Sequence, residues 1–172
     1  MTTTQQGGAS LLDALVALSF LVTLACLAAP LEQLIEQQQL RAAASELTQM
    51  THQARAYALS NNTRTTLCYL DQDQRCSSQW QTAISVFTDS NGNRRLDNQE
   101  QLLSFSRLKN IQLIWRGMAP ANSLHFNGNG HTFVSNGTFT LCHPHLTQGR
   151  KLIINRQGRL RSENSSTPCE HD

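Results

Sequence analysis

At 172 residues the chain has room for one ordinary domain beyond an anchor, which excludes a multidomain assembly. Its 14 basic and 12 acidic side chains leave a net charge of +2, so the molecule as a whole is no polyanion binder by bulk charge. What charge there is must act through its distribution.

The first element is apolar. Leu11 to Pro30 carries a single charge, Asp13, and at ~1.5 Å per residue it matches the ~30 Å hydrocarbon core of a bilayer. A membrane-spanning helix over 9–30 is expected. A carboxylate inside such a segment is expensive and is kept for function. A secretory signal peptide fits poorly, because no Lys or Arg precedes the run and Pro30-Leu31-Glu32 is not a small-residue cleavage site.

From Leu31 the pattern becomes amphipathic. Leu31, Leu34, Ile35, Leu40, Ala43, Leu47, Met50, Ala54, Tyr57 and Ala58 recur at spacings of three and four, with Glu32, Glu36, Gln37, Arg41, Glu46 and Gln53 between them. This predicts a continuation of the helix over 31–61 with one buried stripe. Asn61-Asn62 is a suitable end, since Asn tolerates the left-handed conformation of a helix terminus.

Beyond Asn62 the period falls to two. Strands are expected at Thr65–Leu70, Ala83–Thr88, Gln101–Phe105, Ile111–Trp115, Ser123–Phe126, Gly137–Cys142 and Lys151–Asn155, separated by turn signals such as Asn91-Gly92 and Asn136-Gly137. The region 62–172 therefore reads as a β-rich domain in which an antiparallel sheet packs on the amphipathic helix, and the chain as an α+β protein. The polar residues 162–172 read as an irregular tail.

Cys26 lies in the apolar run and behaves there as a small hydrophobe. Cys68, Cys76, Cys142 and Cys169 are an even number beyond an anchor, which suggests disulfides and an oxidising compartment. Three connectivities exist; proximity and the strand order favour Cys68–Cys76 and Cys142–Cys169. The spacings do not form the two close pairs of a zinc ribbon.

Asp89, Asn91, Asn93, Asp97 and Glu100 occupy positions one, three, five, nine and twelve of a calcium loop of the EF-hand kind, but Arg94 stands where that loop needs glycine. A hairpin turn held by its own Asp and Asn side chains is the better reading. His143-Pro144-His145 has no acidic partner near in sequence and Pro144 breaks the strand, so a surface loop is expected rather than a metal site. No nucleophile carries a motif around it, so neither catalytic residues nor a cofactor is expected.

Arg150, Lys151, Arg156, Arg159 and Arg161 fall between Gly149 and Arg161 with no acid among them. On an extended chain Arg159 and Arg161 project to one side, and Gly158 adds backbone freedom beside them. Guanidinium forks suit phosphate oxygens, whereas the plainer reading is an edge strand protected by charge.

Gly8-Ala9-Ser10-Leu11-Leu12-Asp13, the apolar run and Pro30 resemble the prepilin signature of type IV pilins and pseudopilins. That signature is a glycine cleaved on its C-terminal side, then Phe-Thr-Leu-Ile-Glu and an apolar helix. The resemblance implies a leader over 1–8 removed by a prepilin peptidase between Gly8 and Ala9, N-methylation of Ala9, and a role for Asp13 in assembly. Ala9 replaces the usual Phe, Asp13 the usual Glu, and the leader lacks a basic residue.

Phe87-Thr88-Asp89-Ser90-Asn91-Gly92-Asn93, and Gly158-Arg159-Leu160-Arg161 followed by Cys169, are similar to the FimT/GspH branch of minor pilins. That branch implies an elongated N-terminal helix and a β-rich C-terminal domain. Its Gly-Arg-x-Arg tail implies binding of extracellular DNA, without sequence preference, for uptake in natural transformation. Gly158, Arg159 and Arg161 would carry it here, widened by Arg150, Lys151 and Arg156. Other pilin subunits are the implied partners. The implied location is the bacterial inner membrane, with the C-terminal domain periplasmic and the subunit extracellular once in the pilus. The alternative is a purely structural minor pilin or a GspH-like pseudopilin of type II secretion. A periplasmic domain on a simple anchor would require neither Gly8 nor Asp13.

Overall fold

The longest element, α1, runs from Leu11 to Asn61 in the computed structural model, which describes residues 11–80, 83–118 and 122–169, without side chains for 24–30 and 166–168. The expected leader and its junction at Gly8 and Ala9 lie outside the described residues. The chain divides into two units, Met1–Ile35 and Glu36–Asp172. In the first unit Leu11, Leu12, Leu15, Val16, Leu18, Phe20, Leu21 and Val22 are exposed, as are Leu31, Leu34 and Ile35. Among the described residues no helix is long and apolar enough to cross a membrane. The span expected over 9–30 includes residues 9 and 10 and the side chains at 24–30, which are outside that description.

In the second unit the helix buries Leu40, Ala43, Ala44, Leu47, Met50, Ala54 and Ala58. The stripe thus starts at Leu40, and Leu31, Leu34 and Ile35, expected on it, are exposed instead. Thr51 joins the buried face because its hydroxyl donates to the Leu47 carbonyl one turn back at 2.8 Å, so no polar group is stranded. At the C-terminus Asn62 takes φ 45° and the Thr63 N–H reaches the Ala58 carbonyl at 3.2 Å. This closes the helix as the Asn61-Asn62 pair predicts.

Among the described residues eight strands follow: β1 (Thr65–Cys68), β2 (Ala83–Thr88), β3 (Leu102–Arg107), β4 (Gln112–Gly117), β5 (Leu124–Phe126), β6 (Gly137–Cys142), β7 (Gln148–Ile154) and β8 (Leu160–Pro168). They form two antiparallel four-stranded sheets rather than the single sheet expected, ordered β3-β2-β1-β5 and β4-β6-β7-β8. The chain changes sheet between β3 and β4, where Leu108 and Ile111 are buried, and again at β5, which returns to pair with β1. One core collects the helix stripe, Leu67, Ile84, Val86, Leu124 and Phe126 of the first sheet, and Leu113, Trp115, Phe139, Leu141, Leu152 and Ile154 of the second. Within it Trp115 and Phe139 stack with ring centroids 4.2 Å apart.

The tail over 162–172 is not irregular as expected: through Pro168 it is part of β8, paired to β7. An edge strand is held by its backbone hydrogen bonds, so it can be polar and carry no apolar alternation. Disulfides join Cys68 to Cys76 and Cys142 to Cys169, the pairing chosen from the sequence. The second fastens the residue after β8 to the end of β6.

Candidate functional site

The basic stretch forms the β7–β8 hairpin. Its turn runs Asn155–Arg156–Gln157–Gly158: the Gly158 N–H donates to the Asn155 carbonyl at 2.9 Å, and the Asn155 N–H to the Arg159 carbonyl at 3.1 Å. The Arg159 N–H donates to Asn155 Oδ1 at 2.9 Å. Gly158 has φ +73°, the left-handed position that such a turn assigns to glycine.

A Cβ on Gly158 would stand 2.3 Å from the Gly130 carbonyl oxygen. Arg55 of α1 locks the same place, donating to the Gly130 carbonyl at 3.0 Å and the Gln157 carbonyl at 3.2 Å. The freedom expected of Gly158 is therefore absent; it is a buried turn residue, fixed by close approach. Arg156 is also engaged, its Nε donating to the Phe133 carbonyl at 3.3 Å.

Leu160 pairs with the buried Ile154 and packs against the core. Arg159 and Arg161, on either side of it, are exposed. Strand register then places them among neighbours. Arg116, Thr138, Ile153 and Arg161 make one row across all four strands, and Ile114, Thr140, Lys151 and Glu163 make the next. Because alternate residues face opposite ways, this is the face turned away from Trp115, Phe139 and Leu152. Arg150 alternates to the other side, with Leu152, so the cluster adjacent in sequence is split in space.

Two features were invisible in the sequence cluster. Arg116 joins the face from a strand far upstream, and only the register reveals it. Glu163 joins it too, its Oε1 at 2.9 Å from Arg161 Nε, with the Arg161 side chain 71% exposed. The cluster is thus not free of acid in space. A solvent-exposed pair of this kind holds with less than about 1 kcal/mol, so Arg161 can still exchange partners.

The Asp89 loop is a self-sufficient turn. Asp89 is buried, accepts from Thr66 Oγ1 and lies 3.5 Å from Arg64 Nε. Its carboxylate is thereby directed to protein partners rather than left free for a cation. Asn91 and Asn93 donate to Asp97 Oδ2 at 2.9 and 2.8 Å, which holds its carboxyl below the ordinary range. His125 lies buried nearby, and its Nδ1 meets no hydrogen-bond partner among the described residues. Burial pushes its imidazole down to about 4, helped by the charges of Arg64 and then Arg94, against the opposing effect of Asp89.

The His143-Pro144-His145 reading needs correction. His143 is buried, not on the surface, and an acidic partner does arrive, from α1: Glu36 Oε1 lies 2.7 Å from His145 Nδ1. Sequence proximity could not show it. Asp13 lies in the first turn of α1.

A family model described as type II transport protein GspH matches residues 43–158, ending one residue before Arg159. Two crystal structures of the Pseudomonas aeruginosa (strain PAO1) type IV minor pilin FimU share the fold at 24% identity. The form in space group P21 gives a TM-score of 0.59 and covers 78% of this chain and 96% of that one. The form in P65 gives 0.56, with 76% and 98% covered. No curated protein matches the chain.

Proposed function

The chain belongs to the GspH family of pilin-like proteins, and from that we propose that it is a minor pilin, a non-enzymatic subunit of a type IV pilus. One observation carries the reading: the exposed apolar side chains of the first unit, from Leu11 to Val22 and at Leu31, Leu34 and Ile35, against a helix stripe that is buried only from Leu40. Apolar surface on this scale is kept where something covers it. In a filament the neighbouring helices do so; before assembly the inner membrane does, with the C-terminal domain in the periplasm. The two disulfides suit that oxidising compartment.

Cleavage between Gly8 and Ala9 by a prepilin peptidase supplies a new α-amino group, which pairs in the filament with the Asp13 carboxylate of an adjacent subunit. Such a pair is stable in a low-dielectric core only when both charges are matched. Mass spectrometry of the membrane-extracted protein should find Ala9, N-methylated, as the first residue. An intact Met1, or a start near Pro30, refutes the processing.

A second reading adds extracellular DNA as a ligand, in support of uptake during transformation. It is favoured by the shared outer face of Arg116, Lys151 and Arg161 and by Arg159 beside it. Phosphate contacts by such side chains carry no sequence information, and affinity falls with salt by a log–log slope of about 0.9 per phosphate on duplex DNA. With roughly three phosphates engaged, binding is micromolar or weaker, which several subunits on one DNA can raise by avidity. In gel-shift titrations at two salt concentrations, Arg116→Ala and Arg161→Ala should each lower the slope by about one. Glu163→Gln should tighten binding, since it frees Arg161. If all three variants bind as the unaltered chain does, the face is not a DNA site, and a purely structural pilin or pseudopilin remains.

A further inference from the structure

We propose that Glu36, His143 and His145 form a binding site for a divalent first-row transition cation, with zinc as the representative ion. Glu36 comes from α1, far in sequence from the neighbouring His143 and His145, and one donor atom of each lies within 4.8 Å of the others. The donors of a tetrahedral zinc site stand about 3.3 Å apart, given bond lengths near 2.0–2.1 Å. The adjustment falls on His145, whose side chain is 72% exposed and can move, opening its 2.7 Å contact with Glu36 as the ion enters. Two imidazoles and one carboxylate are donors of intermediate softness, which select zinc and its neighbours over calcium or magnesium.

The site is held on rigid supports. Cys142, bonded to Cys169, immediately precedes His143. The Leu146 N–H donates to the His143 carbonyl at 3.1 Å, so His143-Pro144-His145-Leu146 is a turn with proline at its second position. Leu146 is buried and seats that turn in the core.

The outer partners are also in place. Gln39, one helical turn beyond Glu36, presents Oε1 at 3.2 Å from His143 Nε2. A carbonyl oxygen only accepts, so Nε2 carries the proton and Nδ1 bears the lone pair, which accepts from the His145 N–H in a long 3.4 Å contact that a metal would displace. Metal-bound histidines are oriented by this kind of bond from their other ring nitrogen. At His145 the carboxylate of Glu36 likewise only accepts, so Nδ1–H donates to it. A cation seated between them takes the place of that proton, and the ring binds it as the neutral imidazole with its one proton on Nε2. Three protein ligands leave a fourth position for water, and the bound ion clamps α1 at Glu36 to the connection between β6 and β7.

The test uses the full chain, purified in detergent and stripped with a chelator. Zinc is titrated in competition with a chromogenic chelator, and thermal unfolding is followed alongside. The expected result is one equivalent bound and a raised Tm, with no comparable binding of calcium or magnesium. Glu36→Gln and His145→Ala should each weaken zinc binding by more than about tenfold, the lower bound set by losing even an outer partner. His52→Ala, on the exposed side of α1, should change nothing. His145 is exposed, so its variant keeps the fold, which a metal-free melt verifies. Substoichiometric binding, equal binding by His145→Ala, or equal binding of calcium overturns the site and leaves Glu36–His145 as an ordinary ion pair.

Discussion

Replacing Gly158 by alanine separates two roles that the sequence presents as one. Gly158 opens the Gly-Arg-x-Arg segment, but its position is a left-handed turn residue, φ +73°, wedged against Gly130. An L-residue in that conformation costs about 1 kcal/mol. The added Cβ would also stand 2.3 Å from a backbone oxygen, which cannot rotate away as a flexible side chain could. The hairpin must retreat, and the Arg55 bonds to Gly130 and Gln157 are the contacts at risk. Losing one hydrogen bond from a charged donor costs about 1.5–3 kcal/mol. The total is about 2.5–4 kcal/mol, or roughly a 10 °C fall in Tm for a domain of this size. Circular dichroism melts and urea titration measure it, with Arg159→Ala as the companion, expected within about 0.5 kcal/mol of the unaltered chain. If Gly158→Ala melts within about 2 °C of the unaltered chain, the turn does not need its glycine and the packing argument fails.

Two further perturbations test the fold around the site. His125, pushed down to about 4 in the folded chain against 6.5 unfolded, takes up its proton first in the unfolded state. Its contribution to stability is therefore complete above about pH 6.5 and is lost as pH falls toward about 4, by roughly 2–3 kcal/mol. Urea midpoints at about pH 7 and pH 4.5 should show a smaller acid loss in His125→Gln than in the unaltered chain; equal losses refute the assignment. The Cys142–Cys169 bond closes a segment with a sequence separation of 27. The double Ser variant should lose about 3 kcal/mol, and its amide exchange should quicken in β8 ahead of β1 and β2. Uniform exchange across both sheets would show that the bond does not pin the edge strand.

What the sequence discloses is what local chemistry dictates. The helix end at Asn61-Asn62 is readable because asparagine at a left-handed position is a local event. β2 and β6 match their apolar runs from end to end, at Ala83–Thr88 and Gly137–Cys142. β8 escapes because an edge strand of Arg161, Ser162, Glu163 and Asn164 carries no alternation; its order comes from β7 and a disulfide. The division into two sheets escapes for a related reason, since partner choice is settled between strands far apart in sequence. The candidate sites divide in the same way. Arg159 and Arg161 are two apart in sequence and visible, whereas Arg116 and Glu163 join their face only through register. Glu36 meets His145 only because the helix and the β6–β7 turn fold together.

The central claim is that this chain is a filament subunit, and sheared pili test it most directly. Filaments from cells carrying the unaltered chain should contain it by immunoblot. Filaments from cells carrying Asp13→Ala should lack it, while the variant accumulates in the membrane fraction with both disulfides intact. Asp13→Ala present in sheared filaments at the level of the unaltered chain, or the unaltered chain absent from them altogether, would contradict the account.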